Sequence, residues 1–239
     1  MLCGQNGSFI HIDNEEIRKK GFENIYEVYN KGINLQQELF YLNGKEYIES
    51  FDKINGHPFF LGKSFNQCHM KVSGYYFENI SLKIDLYRNE LIGEYPVTAW
   101  NKVHIILNKN QIDEVYLLDY NSGKVHWIIR IKEESAPDEL MNQYVFKTHN
   151  GQDFQFFVHR KKIINLNNNS FTDKSTVYIR YKEDYHRIRN IRSITKLFIE
   201  HRKYNEIKNL LKGLDKKTMI EATDDFQLIM NRLEEIMNK

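Results

Sequence analysis

The chain is poor in proline and glycine, with 3 and 12 in 239 residues. That excludes a collagen-like repeat and any long Pro- or Gly-rich linker, so no such linker divides the chain. Cysteine is scarce too, with only Cys3 and Cys68. Two residues make one disulfide at most and neither belongs to a metal-spaced pair, so there is no disulfide framework. No apolar run approaches the ~18 residues that cross a bilayer as a helix. Charge of one sign is not in excess either, since 34 basic residues face 32 acidic ones for a formal net of +2. A chain-wide attraction to nucleic acid therefore has no electrostatic basis, because phosphate binding needs a concentrated positive surface.

Aromatic residues are abundant: 15 Tyr, 15 Phe and 2 Trp. They suit strands and half-buried surfaces. With 41% apolar and 28% charged residues the composition is that of a globular chain, long enough to bury a core without staples.

The stretch Cys68–Val97 sets the pattern. Ile80, Leu82, Ile84 and Leu86 alternate with Ser81, Lys83 and Asp85, which predicts a strand with one dry face and one wet face. Gly74 and the Arg88-Asn89-Glu90 corner supply turns to neighbouring strands around Met70, Val72 and Leu91. Similar short alternations recur at 103–107, 115–119 and 125–131. A hairpin is expected from Leu39–Leu42 to Glu46–Ile48 across Asn43-Gly44, and another from Tyr144–Thr148 to Phe154–Arg160 across His149-Asn150-Gly151. Asn165–Asn169 reads as a loop, and Val177, Ile179 and Tyr181 as a further strand.

Helical spacing is confined to the ends. Residues 13–31 read as a helix broken near Gly21. From Ser193, an expected N-cap, the period becomes 3.6, with stripes at Ile194, Leu197, Phe198, then Ile207, Leu210, Leu211, and finally Phe226, Ile229, Met230, Leu233 and Ile236. The expected fold is mainly β, an antiparallel meander forming a curved sheet or partly closed barrel with C-terminal helices packed on it. Three regions follow: an irregular or helical segment 1–38, a meander 39–132, and hairpins plus helices 144–239, with the acidic stretch 133–143 between the last two.

The motifs Asn-Gly-Lys-Glu-Tyr (43–47), Gly-His-Pro-Phe-Phe (56–60) and Gly-Tyr-Tyr-Phe-Glu-Asn-Ile-Ser-Leu-Lys-Ile-Asp-Leu-Tyr (74–87) are followed by a basic-ended aromatic strand (156–162) and by 178–188 ahead of Lys-rich helices. In this the chain resembles a group of uncharacterised exported proteins of Bacteroidota, over roughly residues 40–239. The resemblance implies a periplasmic or envelope-associated protein whose signal peptide is missing from this sequence. The opening MLCGQNGS reads equally as the tail of such a signal or as an ordinary N-terminus. No established activity comes with the group.

Catalytic signatures are few. The nine histidines are scattered without H-x-x-x-H spacing, and His104 and His126 read as wet-face residues. Asp85 reads as a wet-face carboxylate paired across strands. Neither a nucleophile elbow nor a Gly-rich phosphate loop is present, so no catalytic residue, metal or cofactor is assigned.

Two sets of residues remain as binding candidates. Tyr75, Tyr76, Trp100, Trp127 and Phe156, with Phe77, Phe154 and Phe157, are either ordinary core or the lining of a cavity for an apolar ligand. Arg180, Lys182, Arg187, Arg189 and Arg192, interleaved with Tyr181 and Tyr185, are either a solvated surface or a polyanion site. The expected function is a non-catalytic binding or interaction module of the envelope, whose partner is another envelope protein or a small apolar ligand. The alternatives are a barrel-like lipid carrier and a nucleic-acid or polyanion binder through 180–192, nucleic acid being the least favoured.

Overall fold

The computed structural model describes residues 44–97 and 101–238. The chain divides into two compact units, Met1–Leu42 and Asn43–Lys239, and every described residue belongs to the second. The helix expected at 13–31, the first arm of the Asn43-Gly44 hairpin, Cys3 and Trp100 lie outside the described residues.

Thirteen strands are described: β1 Lys45–Glu46, β2 Asn66–Val72, β3 Tyr75–Asp85, β4 Glu90–Pro96, β5 Lys102–Ile106, β6 Ile112–Leu118, β7 Val125–Arg130, β8 Tyr144–Asn150, β9 Phe154–His159, β10 Lys162–Asn165, β11 Ser170–Asp173, β12 Thr176–Tyr181 and β13 Asp184–Ile188. Four helices follow: α1 Ile191–Leu197, α2 Tyr204–Leu211, α3 Lys216–Glu221 and α4 Asp224–Met237. Eleven strands form one antiparallel sheet in the order β1-β5-β4-β3-β2-β6-β7-β8-β9-β12-β13, and β10 with β11 makes a separate hairpin. The sheet does not close into a barrel, and the helices pack against it.

The dry face of β3 is as the alternation requires, with Ile80, Leu82, Ile84 and Leu86 all buried. Further along the sheet the same side faces the helices. Phe156 lies edge-on to Phe226 at 5.4 Å, and Phe154 to Phe198 at 6.2 Å. Helix α4 buries Phe226, Met230, Leu233 and Ile236, one stripe of its surface. Helix α1 starts two residues before the expected cap: Asn190, in extended conformation, accepts from Ser193 N, so Asn190 is the N-cap and Ser193 lies inside the first turn. Asn165 and Ser170 pair across the turn Leu166–Asn169, so the expected loop is the tip of the β10–β11 hairpin.

The opposite face carries two covers. Tyr47 and Phe59 pack on Ile92, with Phe65 and Ile106 at the margin. Ala136 and Leu140, from the stretch 133–143, pack with Ile131, Val145, Phe157 and Tyr178. Strands β7 and β8 pair directly on either side of that stretch.

The first cover corrects the wet-face assignments at the end of β3. Lys83 is buried, its ammonium 4.4 Å from the Phe59 ring and 4.5 Å from that of Phe65. Asp85 is wholly buried and accepts from Tyr47 OH at 2.9 Å and from the backbone of Tyr87 and Arg88 at 2.8 and 2.9 Å. His104 lies beside Phe65 at 4.8 Å. His126 is wedged on the helix side against Phe60 at 4.9 Å and Phe146 at 6.2 Å, not solvated.

Candidate functional site

Between the covers, the open face of the sheet presents a row of rings and cations contributed by successive strands. Its members are set by register. Lys71 on β2 stands opposite Tyr76 on β3, and its ammonium lies 5.5 Å from that ring. Tyr116 on β6 stands opposite Trp127 on β7, the rings parallel to within 18° at 5.7 Å. Lys147 on β8 extends over Trp127 at 4.4 Å and stands opposite Phe157 on β9. Phe157 lies 5.8 Å from Tyr185 on β13, and Arg180 on β12 sits 5.8 Å from the same ring.

The members from Tyr76 to Lys147 face outward because their strand neighbours face inward, whereas Phe157 is buried under the second cover. Tyr116 lies between buried Val115 and Leu117, and Trp127 beside buried Ile128. Tyr76 is 65% exposed, while Tyr116, Trp127, Lys147, Tyr185 and Arg180 are half-buried, their bodies packed and their tips wet. From β3 to β8 the open part of the row crosses four strand spacings, about 19 Å.

Three carboxylates fix its polar atoms. Glu114 accepts from Tyr116 OH at 2.7 Å and from Trp127 Nε1 at 3.1 Å, so both rings are locked in orientation. Burial and Glu114 push the Tyr116 phenol up to about 12. Glu133 accepts from Tyr185 OH and lies 3.8 Å from Arg180, which also pairs with Glu183. The Arg180 Nε is buried and has no hydrogen-bond partner among the described residues. Burial depresses the Lys147 ammonium below the usual lysine range, with Glu114 opposing the shift. A desolvated cation over an aromatic face gains from any anion brought to it.

The structure separates the sequence candidates. Tyr76, Trp127 and Arg180 belong to the row. Tyr75 alternates to the other side of β3 and is 57% exposed. Phe156 faces the helices, and Trp100 is outside the described residues, so the aromatic set does not line one cavity. The basic set divides as well. Lys182 stacks on Tyr181 at 5.2 Å, Arg187 approaches Glu139 at 3.7 Å, and Arg189 and Arg192 are exposed. Lys71, Tyr116 and Lys147 are not among the sequence candidates, and Tyr185 enters only beside the basic set 180–192. Each lies at a polar position of an alternating strand, but only the register places them in line.

Comparison with known protein families, with curated proteins and with solved structures finds no match. Function therefore has to be argued from the site.

Proposed function

We propose that this chain is a non-catalytic binding module of the cell envelope that holds an extended acidic glycan along the open face of its sheet. One observation carries this reading, the run of rings and cations from Tyr76 to Lys147 across consecutive strands, continued past the second cover by Tyr185 and Arg180. Ring faces suit sugar rings, the neighbouring ammonium and guanidinium groups suit carboxylates, and a line of several strands suits a polymer better than a compact ligand. Placement in the envelope rests on the resemblance of the 43–47, 56–60 and 74–87 motifs to exported proteins. A lipid carrier would require a closed barrel around an apolar cavity, and this sheet is open with Phe156 buried against Phe226.

Native gels cast with polygalacturonate, a neutral glucan or single-stranded DNA test the assignment. Retardation by polygalacturonate alone is expected. Retardation by DNA alone would transfer the row to nucleic acid, and migration unaffected by any polymer would dismiss it as a ligand surface.

A further inference from the structure

Beyond the second cover, on the same face of the sheet, lies a depression of about 600 Å3. It is assembled from the β3–β4 corner, the end of β9, the start of β12, the end of β13, and residues 138–143. Its walls are tied together by hydrogen bonds between segments remote in sequence. Asn89 donates to Tyr144 O at 3.0 Å and accepts from Tyr144 N at 2.8 Å. Lys162 N donates to Leu86 O at 3.1 Å, and Lys161 N to Ser175 Oγ at 3.4 Å. The site is formed before any ligand arrives.

Its charge is unbalanced. Arg88, Lys161, Lys174 and Arg187 line it against Asp138 and Glu139, four cations to two carboxylates. Arg88 is committed elsewhere, to Ile48 O and Ser50 Oγ and between the rings of Tyr47 and Phe51, so it contributes field and not contact. Glu139 is held by Tyr178 OH and stands 3.7 Å from one Arg187 nitrogen. Lys161 and Lys174 form no ion pair among the described residues and reach into solvent at the rim. His159 is 8% exposed, and its imidazole has no hydrogen-bond partner among the described residues. Burial, with Lys161 and Lys109 nearby, holds the His159 imidazole below the usual histidine range against the opposing pull of Glu139. A neutral, unpaired ring beside unpaired cations is a site lacking an anion.

We propose that this depression binds a tetrahedral phosphate dianion, either inorganic phosphate or the terminal group of a small phosphomonoester, through Lys161, Lys174 and Arg187 with His159 beneath. The guanidinium supplies a fork and the lysines supply point charge, the combination that suits phosphate oxygens. Bound dianion stabilises the imidazolium, so the His159 pKa rises toward or beyond its ordinary value.

Titration of the full-length protein with inorganic phosphate and with phenyl phosphate, followed by the His159 ring resonances and by calorimetry, is the test. Saturable binding that raises the His159 pKa is expected. Lys174→Gln with Arg187→Gln, both at exposed positions, should weaken it by about tenfold or more. Tighter binding of phenyl phosphate identifies an ester as the ligand class, and tighter binding of phosphate identifies the free ion. The assignment is overturned if neither probe saturates, if the double variant binds as well as wild type, or if Lys208→Gln on α2 with Lys212→Gln just past its end weakens binding equally.

Discussion

The carboxamide of Asn89 forms a two-way hydrogen bond with the backbone of Tyr144, 55 positions away, donating to its carbonyl at 3.0 Å and accepting from its amide at 2.8 Å. The bond fastens the β3–β4 corner to the first residue of β8, two segments that the sheet does not pair directly. Asn89 adopts φ +55°, which asparagine tolerates better than most residues. Asn89→Ala leaves a buried N–H and C=O unpaired and strains the backbone. A loss of about 2–4 kcal/mol is expected in urea unfolding. Asn89→Asp, which keeps the acceptor and loses the donor, should fall between the two.

A cation clamp holds α3. Arg160, 5.0 Å from the rings of both Phe60 and Phe146, donates to Ile220 O, and Lys124 donates to Glu221 O at 2.8 Å and to Ala222 O. These carbonyls end a short helix, where positive charge is favoured. Arg160→Met should keep most of the ring packing while releasing the clamp. A loss of about 1–3 kcal/mol is expected, with faster amide exchange in α3 than in β9.

Stability should fall as the solution is acidified from pH 6.5 toward 4. Burial holds the imidazoles of His57, His104, His126, His149 and His159 below their ordinary value, and pushes that of His126 down to about 4. In that window the unfolded chain binds more protons than the folded one, so stability is full above the unfolded pKa and is lost as pH falls through the folded pKa. His126→Phe keeps a ring against Phe60 and Phe146 and removes one of these protons. Denaturation midpoints measured from pH 7 to 4 should slope less steeply in this variant than in wild type.

How far the sequence reaches is clearest at β3. Its dry face follows from alternation alone, as does the α4 stripe from Phe226 to Ile236, because both depend on local period. Asp85 and Lys83 fit the same alternation as wet-face residues, yet they are buried, because residues some 20 to 40 positions upstream fold over them. Nothing in the local pattern announces that cover. Asp85→Asn should therefore cost about 1–3 kcal/mol, by removing the charge and one of the two oxygens that accept from Tyr47 OH on one side and from the Tyr87 and Arg88 backbone on the other, where a wet-face substitution would be near neutral in thermal unfolding.

The row was legible only in fragments. Tyr76 and Trp127 stand out by residue type, but grouping them with Tyr75 and Phe156 ignores the parity that sends those side chains to other faces, and Arg180 reads only as part of the basic set 180–192. Pairing of β9 with β12 across the inserted β10–β11 hairpin brings Arg180 and Tyr185 to Phe157, and strand order of that kind is not written in any short segment.

The most direct measurement is the affinity of polygalacturonate fragments for wild type, Trp127→Ala, Lys147→Gln and the double variant, by calorimetry at two salt concentrations. The account predicts weaker binding at higher salt, about five- to tenfold loss for each single variant, and a double variant less affected than the product of the two, since Lys147 lies on the Trp127 ring. Affinity unchanged by Trp127→Ala in a protein that still folds would contradict the assignment of the open sheet face as the binding surface.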